Sequence, residues 1–228
     1  QAIHSLNKTK NEVLVPSLTY AASYQAISGA GLKPISCDIN PKTLNICFKE
    51  IQKKFNKKTL AIMPVHYSGD PVGIEKINSF AKRNKIRVVE DAAHAFGSVY
   101  KNKLVGSFGD ISCFSFDGIK NITCGEGGAI VSNDNAVLSK ASDIRTLGII
   151  GDSARRTAKK RSWSFDIEEQ GYRYHMSDIN AAIGVVQLKR FSSFRTKRML
   201  LAKNYDEIFK NSIHISTFKR NYDEVTPH

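Results

Sequence analysis

The stretch FSFDGIKNITCGEGGAIVSND, Phe114–Asp134, decides how the rest of the chain is read. Two apolar runs, DISCFSF and GGAIVSN, flank a polar loop that carries one lysine, Lys120. Both runs are short and bounded by Gly, Asn or Asp, the composition of buried strands. Gly125, Gly127 and Gly128 let the chain turn tightly after the lysine and re-enter a sheet.

Outward from this unit, apolar runs alternate with helical patterns. EVLVPS (Glu12–Ser17) is a strand, and a helical stretch from Tyr20 to Ala30 follows it, closed by Gly31. KPISCDI is the next strand, TLNICFKEIQKKF a helix, TLAIMPVHY a strand and GIEKINSFAKRNK an amphipathic helix. IRVVEDA is a strand again, and the helix NAVLSKASDIRTLG follows the lysine unit. This alternation predicts an α/β fold: a mostly parallel central sheet with helices on both faces. The strands are continuous apolar runs, as burial on both faces demands. After Gly151 the segment RRTAKKRSWSFDIEEQ predicts a partly exposed loop. Ser177 is a good N-cap for the long helical pattern that follows. The expected division is a large domain over 1–176, then over 177–228 a linking helix and the beginning of a smaller C-terminal domain. The opening QAIHSLNKTK and the closing EVTPH give the chain the look of a fragment.

The 228 residues are 41% hydrophobic and 24% charged, enough for one sizeable core. No apolar run approaches the roughly 18 residues of a membrane span, and no basic segment leads into an apolar run at the start. Lys and Arg outnumber Asp and Glu by 34 to 21, a net charge of +13. Apart from Arg155–Arg161 (RRTAKKR) the basic residues are spread along the chain, without a zinc-finger or RNA-binding motif. The charge suits phosphorylated or nucleotide-linked substrates, and neither nucleic acid nor membrane is an expected partner. Cys37, Cys47, Cys113 and Cys124 form no CxxC pair, so no metal site is expected, and reduced cysteines fit a cytoplasmic protein.

Polar residues gather just past the strand ends: Ser17, Thr19, Asp38, His66, Asp91, His94 and Ser115. In open α/β sheets the ligand binds there. A lysine on a loop at the mouth of a sheet, with a carboxylate at a neighbouring strand end, suits pyridoxal 5′-phosphate. Its aldehyde needs an amine and its pyridinium nitrogen an acid. Lys120 would form the Schiff base and carry the proton, and Asp91 would hold the ring nitrogen. Ser115 could donate to the phosphate, Tyr20 could stack on the ring, and His94 could reach the O3′ side. Taken singly, each has an ordinary alternative: a solvated lysine, a capping serine, a core tyrosine, a turn histidine.

Together the blocks VPSLTYAAS, VVEDAAHAFGS, FSFDGIKNITCGEGGA and GYRYHMSDINAAIGVVQLKRF resemble the signature blocks of the DegT/DnrJ/EryC1/StrS sugar aminotransferases. The resemblance runs from Glu12 to Phe191, in the family's order and spacing. It implies a fold-type I, pyridoxal phosphate-dependent enzyme. Such enzymes move an amino group, usually from glutamate, to a keto group of a nucleotide-linked deoxysugar, for surface-polysaccharide or secondary-metabolite amino sugars. It also implies a homodimer whose subunits share their active sites. On this resemblance Lys120 is the Schiff-base lysine, Asp91 the ring-nitrogen partner and His94 the ring neighbour. Ser115 is then a phosphate ligand and Tyr20 the stacking aromatic. The chain departs from the family at Arg173, where an Asn that reaches the partner subunit's phosphate is usual; a cation there can also serve an anion. His175 stands in place of an arginine and Asp117 where relatives often carry His. The family's Gly-Thr phosphate cradle would lie before Gln1, and much of its small domain after His228. A pyridoxal phosphate-dependent sugar dehydratase and a non-catalytic regulatory relative are the alternatives. Lys120 speaks against the first, whose relatives commonly carry His there, and the Lys120–Asp91 pair against the second. A nicotinamide-binding domain would need a Gly-rich turn after the first strand, and VPSLTY has no glycine.

Overall fold

The computed structural model describes residues 1–6, 9–71, 73–150, 166–167, 169–218 and 220–228. Most of the loop expected after Gly151 lies outside the described residues. In chain order the elements are β1 (Glu12–Pro16), α1 (Ala21–Gly29), β2 (Lys33–Cys37), α2 (Phe48–Lys54), β3 (Thr59–Ile62), α3 (Ile74–Asn84) and β4 (Arg87–Asp91). Then come β5 (Val99–Tyr100), β6 (Lys103–Leu104), β7 (Ile111–Ser115), β8 (Gly128–Ser132), α4 (Asn135–Arg145) and α5 (Asp178–Phe209).

The central sheet has the order β2-β1-β3-β4-β7-β8. The first five strands run parallel, and β8 pairs antiparallel with β7 from Ile111↔Ser132 to Ser115↔Gly128. The expected α/β architecture is therefore present. Strand direction explains the β8 reversal: the lysine loop joins β7 to β8 as a hairpin, and a hairpin cannot join parallel neighbours. The chain steps from β1 outward to β2, then back across to β3. The order reverses at β1/β3, the place where such sheets open a ligand crevice.

Both faces of the sheet are covered. Val13 and Val15 pack on one side with Ile27, Ala61, Val89 and Val137. Leu14, between them, packs on the other with Ile51, Ile62, Ile77 and Phe80. This is the period-two alternation of a strand buried twice over. At the amino ends of the strands, Arg87 grips Asp110 through two hydrogen bonds of 2.7 Å and reaches Asp134 at 3.1 Å. Asp134 also caps α4, accepting from the amides of Ala136 and Val137. One guanidinium thus ties the start of β4 to the start of β7 and the first turn of α4.

Three local readings change. The helix expected from Thr43 begins at Phe48. Asn45 is drawn out of the helical pattern by bonds to Tyr67 N (3.0 Å) and Asp70 O (2.8 Å), and Leu44 takes a φ of 61°. The strand expected through Tyr67 ends at Ile62; Pro64 has no amide hydrogen, and Tyr67–Gly69 forms a short 3₁₀ turn. The β5–β6 hairpin has no counterpart in the sequence reading. Its two turn residues, Lys101 and Asn102, sit at φ 50° and 63°, a type I′ geometry.

Ser177 caps α5 as expected, accepting from Asn180 N at 3.2 Å. Helix α5 packs on the turn after β4, where a Cβ on Gly97 would clash with the Phe191 ring. The chain then returns: Val99 N donates to Glu224 O (2.7 Å) and Thr226 N to Ser98 Oγ (2.9 Å). Among the described residues, no helix is long and apolar enough to cross a membrane.

Leu14 is fully buried, so Leu14→Ala should destabilise the fold by about 2–5 kcal/mol, measured as the shift of the urea midpoint at constant slope.

Candidate active site

Because β1, β3, β4 and β7 are adjacent and parallel, their carboxyl ends share one edge of the sheet. Asp91 ends β4 at the middle of that edge. Its amide donates to Pro64 O (2.9 Å) and its carbonyl accepts from His66 N (3.1 Å). Its Oδ2 accepts from Ser23 Oγ (2.8 Å) and its Oδ1 from Ala93 N (3.2 Å). Ser23 lies in the first turn of α1 and is buried. Since its hydrogen goes to Asp91, the neighbouring Thr19 hydroxyl, 2.7 Å away, donates to Ser23. The carboxylate is aimed by a relay from two elements.

Beneath it, Glu90 points to the opposite face of the sheet. Glu90 and His66 are both buried, with Oε2 and Nε2 2.7 Å apart. Among the described residues the Oε1 of Glu90 has no partner. It leaves no room for a side chain at Gly109, where a Cβ would clash with it. His66 therefore holds β4 twice, through the Asp91 carbonyl and through the Glu90 side chain.

Lys120 sits in the loop between β7 and β8. Its amide donates to Asp117 O (3.0 Å), and its carbonyl accepts from Arg198 Nη2 of α5 (3.2 Å). Among the described residues no carboxylate pairs with its Nζ. Asp117 shapes the loop: its Oδ1 accepts from Ile119 N at 3.1 Å. Ser115 Oγ accepts from Asp117 N at 3.3 Å, which leaves the serine hydrogen to be donated elsewhere. His94, on the turn after β4, has a buried Nδ1 without a partner among the described residues. Burial, and next to it the charge of Lys120, push His94 from its ordinary 6.5 down to about 4. Its ring stacks on His228, with centroids 3.8 Å apart and planes 13° apart.

The structure thus gathers Asp91, His94, Ser115 and Lys120 on one edge. Tyr20 precedes α1 at the same edge, where it is 80% exposed and its carbonyl accepts from Ser23 N. Arg173 is placed differently. It is exposed and bridges Thr146 beside the end of α4. Among the described residues no hydrogen bond or ion pair joins it to Lys120, Asp91, His94 or Ser115. His175 is exposed as well. Sequence reasoning passed over Ser23, Asn121, Arg198 and His228. Ser23 could have been found, because it lies one helical turn past Thr19. The others come from distant elements and left no local signal.

The chain matches the DegT/DnrJ/EryC1/StrS aminotransferase family over residues 2–226. It belongs to that family. It is 41% identical over 204 residues to GDP-perosamine synthase of Escherichia coli O157:H7, covering 90% of this chain and 52% of the relative. The fold is similar to PseC of Helicobacter pylori, an aminotransferase involved in the biosynthesis of pseudoaminic acid, with a TM-score of 0.83 and 30% identity. That match covers 93% of this chain and 56% of the other. It is also similar to a putative sugar aminotransferase of Streptococcus pneumoniae, Spr1654, in its PMP form, with a TM-score of 0.78 and 29% identity over 92% of this chain and 59% of that one. The architecture is that of the fold-type I sugar aminotransferases. The chain spans about half the length of the curated relatives it matches.

Two outcomes follow from the site's packing. His66→Leu leaves the Glu90 carboxyl buried without its partner and should lower stability by about 1–3 kcal/mol in urea denaturation. His94 and His228 are both depressed to about 4 from an ordinary 6.5. The unfolded chain takes up protons on these rings before the folded chain does. The stability they contribute is full above about pH 6.5, declines as pH falls, and is lost below about pH 4. Urea midpoints measured across that range should drop steeply in the native protein and less so in His94→Gln.

Proposed function

We propose that the full-length protein is a pyridoxal 5′-phosphate-dependent aminotransferase. It would transfer an amino group from glutamate to a keto group of a nucleotide-linked deoxysugar. The observation that carries this reading is Lys120 and a pre-aligned Asp91 carboxylate on one sheet edge, with His94 beside them. The residues present fit the cofactor. Asp91 would take the ring nitrogen, Ser115 has a hydrogen for the phosphate, and the buried Nδ1 of His94, unpartnered among the described residues, suits the O3′ side. Tyr20, exposed at the mouth, would lie over the ring. Arg173, away from this edge, is proposed to meet an anion in a second subunit. The bound cofactor supplies an electron sink that makes the donor's Cα proton acidic.

Lys120, with no carboxylate partner among the described residues, acts as the base. Its Nζ takes the Cα proton and returns it on the other side of the exchange. Arg198 and the Asp117 turn hold the Lys120 backbone while its side chain moves. Asp91, fixed on both oxygens, keeps its charge directed at the ring nitrogen without needing to reorganise. His94 stays neutral near pH 7, so it adds no positive charge beside Lys120.

The family membership and the E. coli relative support a nucleotide-linked sugar, as used in surface-polysaccharide or lipopolysaccharide amino sugars. The PMP form of the S. pneumoniae protein supports the cofactor. We also read the protein as a homodimer. Ile179, Val185, Val186 and Leu188 on α5, with Tyr174 before it, are exposed apolar side chains that a second copy would cover. The free cysteines suit a cytoplasmic enzyme. The dehydratase alternative is disfavoured by Lys120 itself. Division into domains at 176/177 is kept as part of this reading, with α5 as the link.

The test is to load the full-length protein with pyridoxal phosphate, reduce it with borohydride and map the adduct by mass spectrometry. Label on Lys120 is expected; label on a different lysine overturns the assignment. Lys120→Ala should lower transamination by at least about 10²–10⁴-fold, the share of proton transfer alone.

A further inference from the structure

The segment Glu224–His228 brings a second imidazole to the same edge. Thr226 is fully buried and pinned on three sides. Its amide donates to Ser98 Oγ (2.9 Å), its Oγ1 accepts from Arg195 Nε (3.1 Å), and its carbonyl accepts from Asn121 Nδ2 (3.1 Å). Asn121, next to Lys120 and itself buried, also donates to Pro227 O at 3.5 Å. Two carbonyls on one side of the amide fix its orientation, so Oδ1 is the atom 3.0 Å from His228 Nδ1. An amide oxygen only accepts. His228 Nδ1 therefore carries the hydrogen.

Burial, with His94, Lys120 and Arg198 close by, pushes His228 down to about 4. The ring is neutral near pH 7, and Nε2 has a bare lone pair. Among the described residues Nε2 has no partner, while the stack on His94 fixes the plane of the ring. The chemistry of the two substrates then separates. The carboxylates of an amino-acid donor are acceptors and cannot bond a second acceptor; its one amine is consumed at the reacting centre. Sugar hydroxyls are donors.

We propose that Nε2 of His228 accepts a hydrogen bond from a hydroxyl of the sugar substrate, and that Asn121 is the positioning residue that fixes its tautomer. This rests on the sugar-aminotransferase reading above. His228 selects the second substrate and leaves the first unaffected.

The experiment uses the full-length enzyme and measures each half-reaction separately. His228→Phe keeps a ring on His94 and removes the acceptor. The half-reaction with the keto sugar should lose about 10–100-fold in kcat/KM, the effect of losing one hydrogen bond to the substrate. Cofactor incorporation and the half-reaction with glutamate should stay within about 2-fold, because neither touches Nε2. An unchanged sugar half-reaction, or equal losses in both, overturns the proposal. Failure of the wild-type protein to take an amino group from glutamate overturns the aminotransferase reading and this one with it. Nitrogen-15 NMR of histidine-labelled wild-type protein near pH 7 should show His228 protonated on Nδ1 and bare on Nε2. The opposite tautomer, or a charged ring, also overturns it, whether or not the variant folds.

Discussion

The rest of the site depends on the clamping of Asp91. A carboxylate at the end of a central parallel strand has its backbone fixed by the sheet and its side chain free. Here the side chain is fixed as well, by Ser23 from α1 and the amide of Ala93. His66 adds a grip on the Asp91 carbonyl and on Glu90 from beneath. A charge held this way needs no reorganisation when a cation forms opposite it. The cost is a buried Glu90 whose Oε1 has no partner among the described residues and which leaves room only for a glycine at 109.

Positive charge dominates the other side of the edge. Burial and the charge of Lys120 keep both imidazoles neutral near pH 7, with Arg198 acting also on His228. Neutral histidines can stack at 3.8 Å where two charged rings would repel. The arrangement offers fixed hydrogen-bonding nitrogens without adding to a cationic field that already suits phosphates and carboxylates.

Much of the fold was legible because the strands are buried on both faces. Short apolar runs such as VLV in β1 and VV in β4, bounded by polar residues or proline, suit a doubly buried strand, and the helices between them imply parallel connections. The misread places are those where tertiary bonds outweighed local pattern. Asn45 abandoned its helix for Tyr67 and Asp70. The β5–β6 hairpin carries too few residues to show a period. In the site, Lys120, Asp91, His94 and Ser115 were visible because each follows a strand end in an order that resembles a known family. Arg173 was carried over on the same resemblance as a contact to a second subunit; within the chain it lies beside α4 and, among the described residues, bonds to none of the four.

The sequence by itself determined the sheet, the strand ends and the chemical types that gather there, since period and punctuation are local properties. Only the tertiary structure decided how these groups are aimed. Ser23 lies 68 residues from Asp91, and Asn121 lies 107 from His228. No local pattern records a bond over such separations. Those bonds exist because adjacent parallel strands end on one edge and because the chain returns from α5 to that edge. This places a lysine loop and a clamped aspartate, each ordinary alone, on the same edge of one sheet.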